Sequence, residues 1–180
     1  YDDLRSGEPG TPFFRLSPFD PMVPPPHIAL VLGNKLNGET SGGEIGATLQ
    51  ATDWWRWHAS YSLLQMNLHT RAGGTDTNSE RSLERTSPHH QISFRSGMDL
   101  PRNVQLDAGV RYVDALSNQG IGSYLVLDLR LAWRPIQDLE LALVGLNLLD
   151  NQHPEFNPTT VGTQRTEVQH SVYGKVTWRF

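Results

Sequence analysis

The sequence predicts an all-β protein, an antiparallel up-and-down transmembrane β-barrel wall. Three observations predict it: apolar residues recur at period 2, connections alternate between short and long, and the tryptophans gather beside the short connections. Composition sets the frame. The 180 residues are 37% hydrophobic and 19% charged, below the roughly 25% charged of ordinary soluble domains. No run of about 18 apolar residues occurs, which excludes a membrane-spanning helix but not barrel strands, which alternate and average out polar. Five Trp, five Tyr and six Phe argue against disorder. A net charge of −4 argues against a nucleic-acid-binding surface. The absence of Cys removes disulfides, thiolate metal sites and Cys nucleophiles. Residue 1 is Tyr with no leader-like segment after it, so either a leader was removed or the chain is an internal piece.

Taken in order, the chain opens with a short stub, 1–5. Seven of the twelve prolines then fall in 9–26, which predicts an irregular connection over 6–27. In 43–52, Ile45, Ala47, Leu49 and Ala51 alternate with Glu44, Thr48 and Gln50. Asp53-Trp54 is a tight turn. Segment 55–70 begins in phase with Trp55, Trp57, Ala59, Tyr61 and Leu63, then slips to Leu64, Met66 and Leu68, as at a bulge or an exit from the apolar zone. A long polar connection, 71–87, follows. In 88–100 the apolar set is Ile92, Phe94, Met98 and Leu100, against Gln91, Ser93, Arg95 and Asp99. Pro101-Arg102-Asn103 turns the chain into 104–114, where Val104, Leu106, Ala108, Val110 and Tyr112 oppose Gln105, Asp107 and Arg111. After connection 115–121, segment 122–134 sets Leu125, Leu127, Leu129, Leu131 and Trp133 against Asp128, Arg130 and Arg134. Pro135-Ile136-Gln137 is the next tight turn; 138–149 is Leu-rich on both parities, and 150–166 is long. The last strand alternates Val168, His170, Val172, Gly174, Val176, Trp178 and Phe180 with polar residues. All twelve prolines are expected outside strand interiors.

Short and long connections sorted to opposite ends are the habit of outer-membrane barrels. Trp54, Trp55, Trp57, Trp133 and Trp178 all lie near a short turn or the last residue, which places them at one rim as an aromatic girdle, since indole is apolar with one polar N–H. Core packing does not predict clustering at one end.

Four stretches, in order, resemble a known family. They are "NGETSGGEIGATLQATDWWRWHASYSLL", "SPHHQISFRSGMDLPRNVQLDAGVRYVDAL", "YLVLDLRLAWRP" followed by "DLELALVGLNLLDNQHPEF", and "SVYGKVTWRF". Together they resemble the C-terminal β-barrel segment of a TonB-dependent outer-membrane receptor, over about 35–180, with "YDDLRS" similar to the end of an upward strand. The resemblance implies an open partial barrel of about eight strands, the final third of a closed barrel of roughly 22. Asn37-Gly38 alone reads as a hairpin turn; the resemblance instead implies one continuous strand over 28–52. It also implies external loops at 6–27, 71–87, 115–121 and 150–166, and a location in the bacterial outer membrane. The implied function is uptake of a scarce nutrient, an iron–siderophore complex first of all. Implied partners are lipid, the plug domain and remaining strands of the same receptor, the inner-membrane energy-transducing complex, and the barrel-assembly machinery. No cofactor and no nucleic acid are implied.

Candidate residues follow from that placement. Glu44, Arg95, Asp107, Arg111, Asp128 and Arg130 share the polar parity, as lumen wall or plug contacts; on a lipid face each Arg would cost roughly 2–4 kcal/mol near the midplane. Phe13, Phe14, Arg15 and Phe19 combine aromatic faces with a cation in the Pro-rich segment and suit an aromatic or anionic cargo. Val172, Gly174, Val176, Trp178 and Phe180 resemble the signal read by the assembly machinery, a strand-addition device. His89-His90 is not expected to bind metal, because adjacent strand residues face opposite sides. No G-x-S-x-G, H-E-x-x-H or phosphate loop occurs, so no catalytic residue is expected. Two rival readings stand beside this one: a complete small eight-stranded outer-membrane barrel acting as an enzyme or adhesin, and a soluble β-barrel or sandwich that binds a ligand with its apolar parity enclosed.

Overall fold

In the computed structural model, residues 4–14, 26–76, 78–84, 86–157 and 165–180 are described. The chain runs β1 (Leu4–Phe14), β2 (Pro26–Thr52), β3 (Trp55–Thr70), α1 (Asn78–Glu84), β4 (His90–Leu100), β5 (Val104–Val113) and a single 3-10 turn (Ser117–Gln119). It continues with β6 (Tyr124–Ile136), β7 (Leu139–Leu146), β8 (Gln152–His153), β9 (Val168–Gln169) and β10 (Ser171–Trp178). The main sheet has eight strands in the order β1-β2-β3-β4-β5-β6-β7-β10, with β1 and β10 at its two ends, and β8 pairs with β9 separately. The fold is therefore all-β, up-and-down and open, as the alternation predicts. The stretch through Asn37-Gly38 is one continuous strand.

Two units divide the chain, Tyr1–Ser41 with Gln65–Arg85, and Gly42–Leu64 with Thr86–Phe180. In the second unit, β3 to β7 and β10 pair antiparallel, and β4–β5 keeps an unbroken register from Gln91↔Val113 to Leu100↔Val104. Equal parity is thus carried from strand to strand: Met98 lies opposite Leu106, Leu106 opposite Leu131, Leu131 opposite Leu143, and Leu143 opposite Gly174. Because side chains alternate across a strand, this register puts the predicted apolar sets of β4, β5, β6 and β10, and Trp55 to Leu63 of β3, on one face, together with Leu141 and Leu143 of β7. The turn at Arg102 and Asn103 adopts left-handed backbone, φ 63° and 60°.

In the first unit, β1 pairs with β2 and the 71–84 segment folds back on the pair. Gly7 N–H donates to Asp76 Oδ2 at 2.6 Å, Leu68 N–H to Glu84 Oε1 at 2.6 Å, and Lys35 Nζ to the Gly73 carbonyl at 2.7 Å. Glu8 Oε2 accepts both the N–H and the hydroxyl of Thr75, each at 2.6 Å. Leu36 and Leu68 are buried beneath these contacts. Gly38 is required there, since a Cβ would stand 2.3 Å from the Asn67 carbonyl oxygen.

Several expectations are corrected. Residues 6–14 and 26–27, placed in a loop from their proline density, lie in β1 and β2. Pro9, Pro12, Pro26 and Pro135 all sit within strands. β1 is the end strand of this sheet, and its register with β2 slips between Pro9 and Pro12, where the ladder is interrupted. Pro135 falls at the register shift between Trp133 and Ile136, so the tight turn is at Gln137-Asp138 rather than 135–137. β3 runs unbroken past the phase slip at Leu63/Leu64, and the slip coincides with the boundary between the units. The 71–87 connection contains α1. The 150–166 connection contains β8.

Candidate functional site

The polar face of the second unit is built as three tiers. Nearest the tight turns is a belt of charges. Arg56 Nη1 meets Asp99 Oδ2 at 3.2 Å, and Gln105 Nε2 donates to Asp99 Oδ1 at 2.8 Å. Arg130 donates to Asp107 Oδ2 at 2.8 Å and to Glu140 Oε1 at 2.5 Å, while Arg134 Nε holds Glu140 Oε2 at 2.8 Å. Glu140 is the most sheltered carboxylate of this belt, its side chain 15% exposed. Isolated surface pairs of this kind each contribute about 0–1 kcal/mol. Their common face is the informative part.

The middle tier sets hydroxyls and His58 among Glu44, Arg95 and Asp128. Ser62 Oγ donates to Glu44 Oε1 at 3.2 Å, Thr48 Oγ1 contacts His58 Nδ1 at 2.9 Å, and the Ser60 and Ser93 hydroxyls meet at 2.7 Å. Arg95 lies directly opposite His58 on one side and Gly109 on the other. Gly97 lies between Arg56 Nε and Asp107 Oδ1, each 3.3 Å from where a Cβ would be.

The tier nearest the long connections is covered by loops. Arg111 Nη2 donates to Glu155 Oε1 at 2.8 Å, its guanidinium 5.7 Å from the centre of the Tyr124 ring. Tyr124 stacks on His153 with centroids 4.4 Å apart. Asn157 donates through its backbone N–H to Gln119 Oε1 at 3.1 Å and through Nδ2 to the Gln119 carbonyl at 2.9 Å. Asn147, in left-handed backbone at φ 52°, gives its N–H to Asp128 Oδ1 at 2.9 Å and its Nδ2 to the Val168 carbonyl at 3.2 Å. Val113, Leu116, Ile121, Val126, Val144, Asn147 and His153 are buried here. Burial alone would push the Glu155 carboxyl up. The hydrogen bond and charge of Arg111, then those of His153, outweigh it and hold Glu155 below the ordinary carboxylate value.

The opposite face is apolar and uncovered: Val172 is 62% exposed, Val176 69%, Leu143 55% and Leu131 47%. A soluble sandwich would need this parity enclosed, and a closed eight-stranded barrel would need β1 paired with β10; neither holds. Trp54, Trp55 and Trp57 form a run with centroids 6.1 Å apart at each step, and Trp55 Nε1 donates to Ser96 Oγ at 2.8 Å. Trp133 pairs with Val104 beside one tight turn and Trp178 with Leu139 beside another, so all five tryptophans stand at the tight-turn end of this unit.

The polar-parity residues Glu44, Arg95, Asp107, Arg111, Asp128 and Arg130 lie on β2, β4, β5 and β6 of this unit. Phe13 and Phe14 are the last residues of β1, opposite His27 and Pro26, rather than part of a loop. Arg15 and Phe19 lie outside the described residues. Val172, Gly174, Val176 and Trp178 alternate along β10, and Phe180 follows it. His90 Nδ1 contacts Tyr61 Oη at 2.9 Å. Among the described residues no group of three His, Asp or Glu could hold a metal ion. Sequence reasoning missed Gln119, Asn147, His153 and Glu155. One signal was present: Val113, Val126 and Val144 are apolar on the polar parity, which marks where loops cover that face.

No protein-family model and no curated protein matches the chain. Among solved structures it is similar to the FpvAI–pyocin S2 complex, with TM-score 0.59, 12% identity, 84% of this chain covered and 20% of that one. It is also similar to the copper transporter OprC, with TM-score 0.60, 14% identity, 99% of this chain covered and 28% of that one. The chain therefore spans less than a third of the length of either. Both are TonB-dependent receptors, and the fold of this chain is that of a barrel segment of such a receptor.

Proposed function

We propose that the chain is the C-terminal portion of the barrel of a TonB-dependent outer-membrane receptor, which carries a scarce nutrient inward across the outer membrane. The observation that carries this reading is the separation of the two faces of one sheet. The ion pairs Arg56–Asp99, Arg130–Asp107, Arg130–Glu140 and Arg134–Glu140 lie on one face, and exposed Leu, Val and Trp side chains occupy the other. Lipid against the apolar face and a hydrated lumen against the charged face satisfy both. In that setting the tight turns are periplasmic and the connections around Gln119 and His153 are external. Glu44, Arg95, Asp107, Arg111, Asp128 and Arg130 then line the lumen and meet the plug domain.

The cargo we assign is an iron–siderophore complex, supported by the aromatic and cationic run Phe13, Phe14, Arg15 and Phe19, whose first two residues end β1. Binding at the external loops precedes plug movement driven by the inner-membrane energy-transducing complex; no bond is made or broken. The test is uptake of radiolabelled iron–siderophore by cells carrying the full-length receptor, with and without an uncoupler. Replacement of 15–25 by a Gly/Ser linker is expected to reduce uptake with expression unchanged. Energised uptake of a different solute would remove the cargo assignment. Uptake unaffected by deletion of the receptor gene would remove the transport reading.

A further inference from the structure

The polar face of the second unit contains a hollow that the charge belt does not fill. It is lined by Thr48, Arg56, His58, Arg95, Asp107 and Asp128, with Gly97 and Gly109 at its floor. The glycines leave room in it: a Cβ at Gly97 would stand 3.3 Å from Arg56 Nε and Asp107 Oδ1, and one at Gly109 4.0 Å from Arg95 Cγ. The charges around it are unequally committed. Arg56 is held by Asp99, Asp107 by Arg130, and one oxygen of Asp128 by the Asn147 N–H. Arg95 is exposed and has no carboxylate or hydrogen-bond partner among the described residues. Asp128 does not reach it; the two are separated by Gly109, with Arg95 opposite Gly109 and Gly109 opposite Asp128. Two strand spacings amount to about 9.6 Å.

The Arg95 fork is left open beside His58, whose Nδ1 is met by Thr48 Oγ1 and whose Nε2 is left as a second donor, while the lining carboxylates Asp107 and Asp128 are tied to Arg130 and to the Asn147 N–H. Guanidinium matches the two oxygens of a carboxylate or phosphate in a bidentate pair, and His58 and Thr48 stand at its flank. We propose that this hollow is an oxyanion seat, in which Arg95 grips a carboxylate-type group and His58 donates beside it. The proposal rests on the polar face being a lumen wall. The oxyanion has two sources, a free anionic solute in the lumen or a carboxylate side chain from another part of the same receptor.

The test is phenylglyoxal modification of Arg95 in the full-length receptor, read by peptide mass spectrometry, with sodium citrate and sodium phosphate as probes and Arg56 as reference. A free-solute seat gives a reactive Arg95 that citrate or phosphate protects. Protection is about tenfold at ten times the dissociation constant, by mass action. Reactivity that neither probe changes overturns the proposal. A receptor carboxylate in the seat gives an unreactive Arg95 without additives, still unreactive in Asp128→Asn, with Arg95→Gln lowering the unfolding midpoint and Arg95→Lys restoring part of it. Exposure of Arg95 by Asp128→Asn, or an unreactive Arg95 whose replacement by Gln leaves the midpoint unchanged, overturns the proposal. Failure of the lumen-wall reading would register separately, as loss of the depth dependence of arginine substitutions on the apolar face.

Discussion

An arginine placed on the apolar face separates a lipid-facing wall from a solvated one, and its cost must depend on depth. The β5–β6 ladder runs ten rungs, from Val104↔Trp133 to Val113↔Tyr124. Nine steps of about 3.4 Å give about 31 Å along the strand. At a tilt near 40° this rises about 24 Å, close to the apolar band of about 25 Å in outer-membrane barrels. Leu129, opposite Ala108, stands at the fifth rung, near the centre; Leu125, opposite Tyr112, stands at the ninth. Leu129→Arg should cost about 2–4 kcal/mol and Leu125→Arg about 0–1 kcal/mol. Two kcal/mol is roughly a 30-fold change in the folding equilibrium, given that about 1.4 kcal/mol is tenfold. The assay is denaturant unfolding of the full-length receptor in phospholipid vesicles, followed by tryptophan fluorescence. Leu129→Arg is expected to lower the midpoint clearly and Leu125→Arg hardly at all. Equal midpoints for the two variants, or a larger loss at Leu125, would refute the lipid-facing assignment.

Three further outcomes are expected. Asn147→Ala loses the bond to the Val168 carbonyl and forces Ala into left-handed backbone, about 2 kcal/mol together; Asn147→Gly should recover the backbone part, as chemical unfolding can measure. Glu155, whose pKa is depressed in the fold, stabilises the 147–157 loop above the ordinary carboxylate pKa, and that contribution fades as pH falls through its lowered value. Hydrogen exchange should therefore show the loop amides losing protection below about pH 4, from the ordinary Glu value near 4.3, with Glu155→Gln already weak at neutral pH and nearly flat. Gly97→Leu drives Arg56 and Asp107 apart and should cost about 1–3 kcal/mol by overpacking. Gly109→Leu, with only Arg95 Cγ at 4.0 Å, should cost less in the same titration.

The paired strands β4, β5, β6 and β10 were legible because their two faces carry different chemistry, and alternation projects that difference onto the sequence. β1 was not, because Pro9 and Pro12 look like breakers, and the register slip between them that admits them does not show in the sequence. The turn after β6 was misplaced by Pro135, which the strand absorbs at a register shift. The loop-covered tier was least legible. Gln119 and Asn157 are 38 residues apart, as are the ends of no local motif, and His153 acquires its burial from Tyr124 on a different element. For the candidate site, parity indicated which charges share a face; the hollow between them depends on cross-strand neighbours of Gly97 and Gly109, which only register reveals.

The grip of Glu140 on Arg130 and Arg134 bears on how the wall assembles without error. A slip of one residue between β6 and β7 would carry Glu140 to the apolar face and is disfavoured by that alone, since the rest of β7 is apolar on both parities. A slip of two keeps every leucine and valine on its proper side, so greasiness cannot detect it. A single carboxylate held from two directions can, because a two-residue displacement carries it away from one or both of its arginines. Alignment along the strands is thus proofread by charge, while alignment across them is left to the apolar pattern.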